Sequence, residues 1–315
     1  MKPQLAWPVP FVAAALVLAG CSGSGSEGGA ESSSGSSSSG ASSSSGAAST
    51  PAVDTTAETT KAAQEYKAYA IAQADELVKS VKVFTDAVRA GDVKAAQDAY
   101  APSRMPWERI EPIAELISDV DGKVDSRVDD FSGPDDPAFT GWHRLEYLVF
   151  EKNTTDGGKP FADKLDADIA GLVKELPNVD VKPINVANGA AELIEEVSQG
   201  KITGDEERYS KTDLWDFDAN LQGSRDAIGK LNPALVKADP ALLGKIEAGL
   251  NGLFDTMRPL RRGDGWVLYC TANDPYPSPR CPEVTVTPDV VDNLKSQLAG
   301  LSENLSQVSG VLGLQ

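Results

Sequence analysis

The sequence predicts an all-α fold. Apolar residues recur at helical spacing through most of the chain beyond residue 61, and glycines and prolines interrupt them at helix-length intervals. Strand-like alternation is confined to the short stretch 283–287. Together these features predict a bundle of about seven or eight helices.

The first helix spans 61–90, where Leu77, Val81, Phe84 and Val88 fall on one stripe. Gly91 ends it and Asp92 can cap the next. That second helix carries Pro102, Pro106 and Pro112, so breaks or kinks are expected there. Further helices are expected over 164–176, closed by Pro177, and over 184–199, closed by Gly200. Thr203-Gly204-Asp205-Glu206 reads as a capping box opening a helix that runs to about Leu231. Segments 241–261 and 289–305 complete the set.

The N-terminal 20 residues read as an export signal, with an apolar run from Phe11 to Ala19 that is too short to span a bilayer. Leu18-Ala19-Gly20-Cys21 resembles a bacterial lipobox, which implies lipidation of Cys21 and an extracytoplasmic protein held on the membrane by its lipid. Residues 21–60 are poor in apolar side chains and rich in Ser, Gly and Ala. They cannot offset their ordering entropy and read as a flexible tether, which places the folded domain at 61–315. With Cys21 assigned to lipid, Cys270 and Cys281 remain and read as a disulfide. Closing so short a loop contributes roughly 2–3 kcal/mol on the chain-entropy estimate.

Asp and Glu number 47 against 29 Lys and Arg, for a net charge of -18. Nucleic acid is excluded as a partner by that sign, while cations are favoured. The chain has a single histidine, so zinc-peptidase patterns that need two are excluded. His143 and Glu146 are three apart and share a helix face, as metal-binding imidazole–carboxylate pairs do. Glu108 and Glu111 have the same spacing, as do Asp213 and Asp216, and Asp125 and Asp129 lie in an acidic run between the first two motifs. Each of these pairs is equally compatible with a solvated helix face. One imidazole among carboxylates is a hard, oxygen-rich donor set that suits iron or manganese and tolerates zinc or copper. The ordinary histidine pKa of ~6.5 would confine proton competition at His143 to pH values below that.

The segments YAPSRMPWERIEPIAE from Tyr100, FTGWHRLEYLVF from Phe139, NGAAELIE from Asn188 and KITGDEERYSKTDLWDFDANLQGS from Lys201 resemble the imelysin-like family. Within it they are most similar to the helical domain of EfeO/EfeM-type iron-uptake lipoproteins. Gly141-x-His143-x-x-Glu146 matches that family's G-x-H-x-x-E motif. The resemblance implies a bundle of two related helical halves and iron handling, ferric or ferrous, at the periplasm or cell surface. It further implies delivery to a membrane permease, in company with a haem peroxidase. As ligands it implies His143 and Glu146, with Glu108 or Glu111 and Asp125 or Asp129. The tether stands where longer relatives carry a cupredoxin-like domain, so the short form is expected, without a copper site. The family's metallopeptidase label offers an alternative function. A third, binding of acidic polysaccharide, is opposed by the net charge.

Overall fold

The computed structural model describes residues 53–315; the signal segment, Cys21 and most of the tether lie outside the described residues. The fold is all-α. It comprises α1 (Thr56–Ala90), α2 (Val93–Glu108), α3 (Ser118–Val124), α4 (Trp142–Glu146), α5 (Lys159–Glu175), α6 (Pro183–Gln199), α7 (Asp213–Ala238), α8 (Pro240–Met257), α9 (Pro288–Leu305) and α10 (Val308–Val311). The strands among the described residues are β1 (Arg261–Arg262) and β2 (Gly265–Trp266), an antiparallel pair. The alternating stretch near Val286 forms bends instead. Val286 is buried there, and its N–H donates to the Cys270 carbonyl.

Helix α1 is the spine. Tyr66, Ala70, Ala74, Leu77, Val81, Phe84 and Val88 recur every three or four residues and are all buried. They pack against α2, α5 and α7. The helix begins at Thr56, inside the stretch expected to be tether. It ends at Gly91 in the left-handed conformation (φ 78°), and Asp92 then caps α2 by accepting from the Ala95 N–H. A second group, α6 to α9, is joined by packing of α6 on α7 and α9 and of α8 on α7 and α9.

Two expectations fail in whole or in part, since the chain does break and kink around Pro112 as expected. Helix α2 continues through Pro102 and Pro106, and the regular helix gives way only at Arg109 and Ile110. Packing of α2 against α1 and α7 holds both prolines in helical register, overriding their poor propensity. Beyond the break, Pro112 opens a 3-10 turn over Glu111–Ile117 that is kinked at Ile113. The proposed capping box also fails. Thr203 closes a 3-10 turn, Gly204 is left-handed, and α7 starts only at Asp213. Successive helical side chains point about 100° apart. The irregular backbone instead lets both Glu206 and Glu207 turn inward and become buried.

Close approach between the two helix groups depends on Gly189 in α6. A Cβ there would lie 1.6 Å from the Pro112 carbonyl oxygen. Gly189→Ala is expected to lower the unfolding free energy by about 1–3 kcal/mol, the usual cost of overpacking. Gly171→Ala in α5, where nothing lies within 4 Å, is expected to raise it by up to about 1 kcal/mol. Urea melts of the two variants check the contrast.

Candidate functional site

The centre of the bundle holds charge rather than hydrocarbon. Arg104, on α2, is fully buried beneath the Trp142 ring, with its guanidinium carbon 5.4 Å from the ring centroid. Its nitrogens meet Glu108 and Asp125, Glu207 Oε1 at 2.8 Å, Glu206 Oε1 at 3.3 Å and Asp216 Oδ1 at 3.5 Å. Lys201, also buried, places its ammonium 2.9 Å from Glu108 Oε2 and 2.9 Å from Glu111 Oε2. Asn220, from α7, donates to the same two carboxylates at 2.9 and 2.6 Å. Burying one such charge without a partner would cost several kcal/mol, so these residues stand or fall as a group.

His143 sits in the first turn of α4, where Gly141 makes its placement possible. Gly141 has φ 83°, and a Cβ on it would lie 2.2 Å from the Val124 carbonyl oxygen. That contact presses the end of α3, and with it Asp125, against the start of α4. His143 Nε2 lies 3.4 Å from Asp125 Oδ1 and 3.9 Å from Glu206 Oε1, and Nδ1 is 3.1 Å from Glu146 Oε2. Glu146 is fixed in turn by the backbone N–H groups of Tyr209 and Ser210, which donate to Oε1 at 2.8 and 2.7 Å. Helix α4 then runs into a π-helical turn, Tyr147–Glu151, a distortion that is frequent at functional sites.

The cluster carries more carboxylates than cations. Six of them (Glu108, Glu111, Asp125, Glu206, Glu207 and Asp216) face Arg104 or Lys201 and a seventh, Glu146, faces His143, all at 8% side-chain exposure or less. Protons make up part of the difference. Burial and the neighbouring Glu108 push the Glu111 and Asp216 carboxyls well above the usual range. Burial and Glu146 push Glu207 up to about 7. Asp125 and Glu206 go the other way. Burial raises both, but Arg104 and His143 at Asp125, and Lys201 and Arg127 at Glu206, outweigh it and hold them low. Burial and Arg104 push the His143 imidazole down, yet the carboxylates of Asp125 and Glu146 beside it prevail and bring it up to about 10.

Three overlapping groups place ligand atoms within 4.8 Å of one another: Asp125 with His143 and Glu206; His143 with Glu146 and Glu207; Glu108 with Glu111 and Asp125. His143 Nε2 and both oxygens of Asp216 are buried without a hydrogen-bond partner, so the pocket has donor atoms to spare. A cavity of about 390 Å³ opens onto Glu111, Asp125 and Glu206. Its outer wall adds Glu115, Asp121, Glu192 and Glu196, with Arg127 at the rim. Burial and Asp125 raise the Asp121 carboxyl to about 7.

Five of the six residues expected as ligands therefore converge: His143, Glu146, Glu108, Glu111 and Asp125. Asp129 does not. Its side chain is 64% exposed and pairs with Arg208 at the surface. Asp213 is buried, but it accepts from the Glu207 N–H at 3.3 Å, whereas Asp216 reaches Arg104. Sequence reasoning missed Arg104, Lys201, Glu206, Glu207 and Asn220. The acidic run Asp205-Glu206-Glu207 after Gly204 was the available signal, and the capping-box reading absorbed its first two members. Cys270 and Cys281 are joined, with Cα atoms 5.3 Å apart.

The family model described as "Peptidase_M75: Imelysin" matches residues 62–275. The protein of Escherichia coli O157:H7 named "Iron uptake system component EfeO" is 44% identical over 254 residues. Proteins of the same name from Escherichia coli strain K12 and Shigella flexneri are 43% identical over the same length. Each match covers 80% of this chain and 64% of the relative, so the chain spans less than two thirds of the length of those proteins.

The raised His143 pKa fixes a direction for stability. The group is at 6.5 unfolded and about 10 folded. Its contribution is complete below pH 6.5 and is lost as pH rises through 10. The urea midpoint of the metal-free domain is expected to fall across that window, with a shallower fall in His143→Gln. Because the chain has one histidine, its NMR titration is unambiguous, and a midpoint near 6.5 would contradict the geometry.

Proposed function

Because the chain belongs to the imelysin family, we propose that it works as the EfeO proteins are named to do, as an iron-uptake component, binding iron outside the cytoplasm. The observation that carries this reading is the buried surplus of carboxylates around a single imidazole. Oxygen-rich donors with one nitrogen suit iron, ferric or ferrous, and also accept manganese, zinc or copper.

His143 is the pivot. It belongs to two of the three ligand groups, with Asp125 and Glu206 on one side and Glu146 and Glu207 on the other. Glu108 and Glu111 already hold the Lys201 ammonium, a built-in cation that neutralises them. The metal is therefore assigned to the His143 side of the cluster, entering from the acidic cavity beside Asp125 and Glu206. Its charge replaces that of protons on His143 and Glu207, so binding is proton exchange as much as coordination.

In this reading the protein is a carrier and not an enzyme. It is tethered through lipid on Cys21, delivers its metal to a membrane permease, and works with a haem peroxidase of the same system. Among the described residues no helix is long and apolar enough to cross a membrane. The peptidase alternative has one point in its favour, the Glu207 carboxyl near pH 7, where a general base works best. Metal-dependent cleavage of a peptide library by the purified domain would support that alternative and overturn the carrier.

His143→Ala and Glu146→Ala are each expected to weaken iron binding at least tenfold, about 1.4 kcal/mol, with the helical content unchanged. Chelator-buffered titrations with ferric iron, and with ferrous iron under anaerobic conditions, measure this. Unchanged curves in both variants would end the assignment. Wild-type affinity should keep rising roughly tenfold per pH unit between pH 6.5 and 8, because His143 titrates at about 10. A plateau above pH 6.5 would contradict the exchange. For the tether, Cys21→Ser should release the protein from membranes, and quantitative pelleting of that variant would refute lipidation.

A further inference from the structure

The loop closed by Cys270 and Cys281 lies outside the ligand cluster, yet its contacts converge on one short segment, residues 208–211. The Tyr269 N–H donates to the Lys211 carbonyl at 2.8 Å. The Lys211 ammonium is buried and lies 2.6 Å from Asp274 Oδ2. Arg280 Nε donates to the Ser210 carbonyl at 3.2 Å, and the Arg208 guanidinium carbon stacks 3.7 Å from the Tyr276 ring centroid. Tyr269, just before the closed loop, and Asp274, Tyr276 and Arg280 within it thus hold three of these four residues, Arg208, Ser210 and Lys211.

Those four residues are under constraint. Lys211 has φ 61°, a left-handed conformation that non-glycine residues rarely adopt and that persists only where the surroundings enforce it. On the opposite side of the segment, the N–H groups of Tyr209 and Ser210 both donate to Glu146 Oε1, and the Ser210 hydroxyl donates to Glu207 Oε2 at 2.6 Å. Glu146 has no other hydrogen-bond donors on that oxygen among the described residues. The backbone that aims the carboxylate is therefore set by the loop behind it, as outer partners orient metal ligands elsewhere.

We propose that the cystine-closed loop 270–281 is the positioning device for Glu146. Through Arg280 and the Lys211–Asp274 pair it holds the two backbone donors that aim this carboxylate at His143 and at the bound metal. The inference rests on the iron-binding reading only for its consequence, since the positioning itself exists in the metal-free protein.

The single histidine allows a metal-free test. In the full domain, the His143 ring ¹⁵N and Nδ1 proton resonances report the bond to Glu146. Arg280→Met and Cys270→Ser/Cys281→Ser are expected to shift these resonances and to speed exchange of the Nδ1 proton with water. In a Glu146→Ala background, Arg280→Met should leave the His143 resonances where Glu146→Ala alone puts them, because no carboxylate remains to be aimed. Zinc titration is the second readout, with at least a fivefold loss of affinity expected in Arg280→Met. Circular dichroism establishes that each variant is folded, and Arg280→Met decides the matter if the cysteine variant is not. Unchanged His143 resonances in folded Arg280→Met would overturn the proposal, as would equal effects with and without Glu146. If the wild-type protein takes up neither zinc nor iron, the carrier reading fails, and the resonances still decide the positioning.

Discussion

The architecture hangs on the burial of the Arg104 guanidinium. A charge with no solvent must be met on every face, and five carboxylates from four parts of the chain meet this one: Glu108 from α2, Asp125 from the end of α3, Glu206 and Glu207 from the loop before α7, and Asp216 from α7 itself. Removing one member of such a group costs roughly 3–5 kcal/mol, because the others are left uncompensated. The planar fork of an arginine can bind several carboxylates at once, which a lysine cannot do with the same geometry. The two helix groups are thus joined at their centre by a polar knot, with the hydrophobic core wrapped around it.

The departures from regular helix make sense in that light. The break at Arg109 and Ile110 falls between Glu108 and Glu111, and both carboxylates still meet the Lys201 ammonium. The irregular stretch 204–212 lets two neighbouring acids face inward and turns two neighbouring N–H groups toward Glu146. Gly141 allows the end of α3 to touch the start of α4, which brings Asp125 to His143. The last two irregularities each deliver a polar group that a regular helix would have pointed elsewhere.

This division also explains what could be read from the sequence. Periodicity marks apolar stripes, so α1, α5, α6, α8 and α9 were legible within a few residues at their ends. Short-range spacing marks pairs on one helical turn, so His143 with Glu146 and Glu108 with Glu111 were legible as pairs. Arg104 and Lys201 were not, because a basic residue in an amphipathic pattern reads as solvent-facing, and only tertiary structure brings five acids around it. The choice between Asp125 and Asp129 stayed open in the sequence for the same reason in reverse. An acidic run offers several equivalent oxygens, and the turn at Val128–Asp130 sends Asp129 outward to Arg208 while Asp125 goes in. Glu206 and Glu207 were hidden because a glycine followed by acids satisfies the pattern of a helix start as well as that of a buried loop.

The protonation pattern ties the knot to the proposed cargo. Seven carboxylates packed this closely cannot all be ionised without cost. The strain falls unevenly: Asp125 and Glu206 stay charged beside Arg104, Lys201 and Arg127, while Glu111, Asp216 and Glu207 retain protons and His143 gains one. These shifts lower the net negative charge that the buried cluster must hold. Under the proposed function, a polyvalent cation arriving through the acidic cavity would meet low-pKa oxygens that need no proton loss, Asp125 and Glu206. It can then expel the protons of His143 and Glu207 stepwise as it settles. Running the sequence backwards, a more acidic environment at the point of delivery would favour release without any rearrangement of the helices. A site built only of ionised acids would bind with less dependence on pH and would lack this means of letting go.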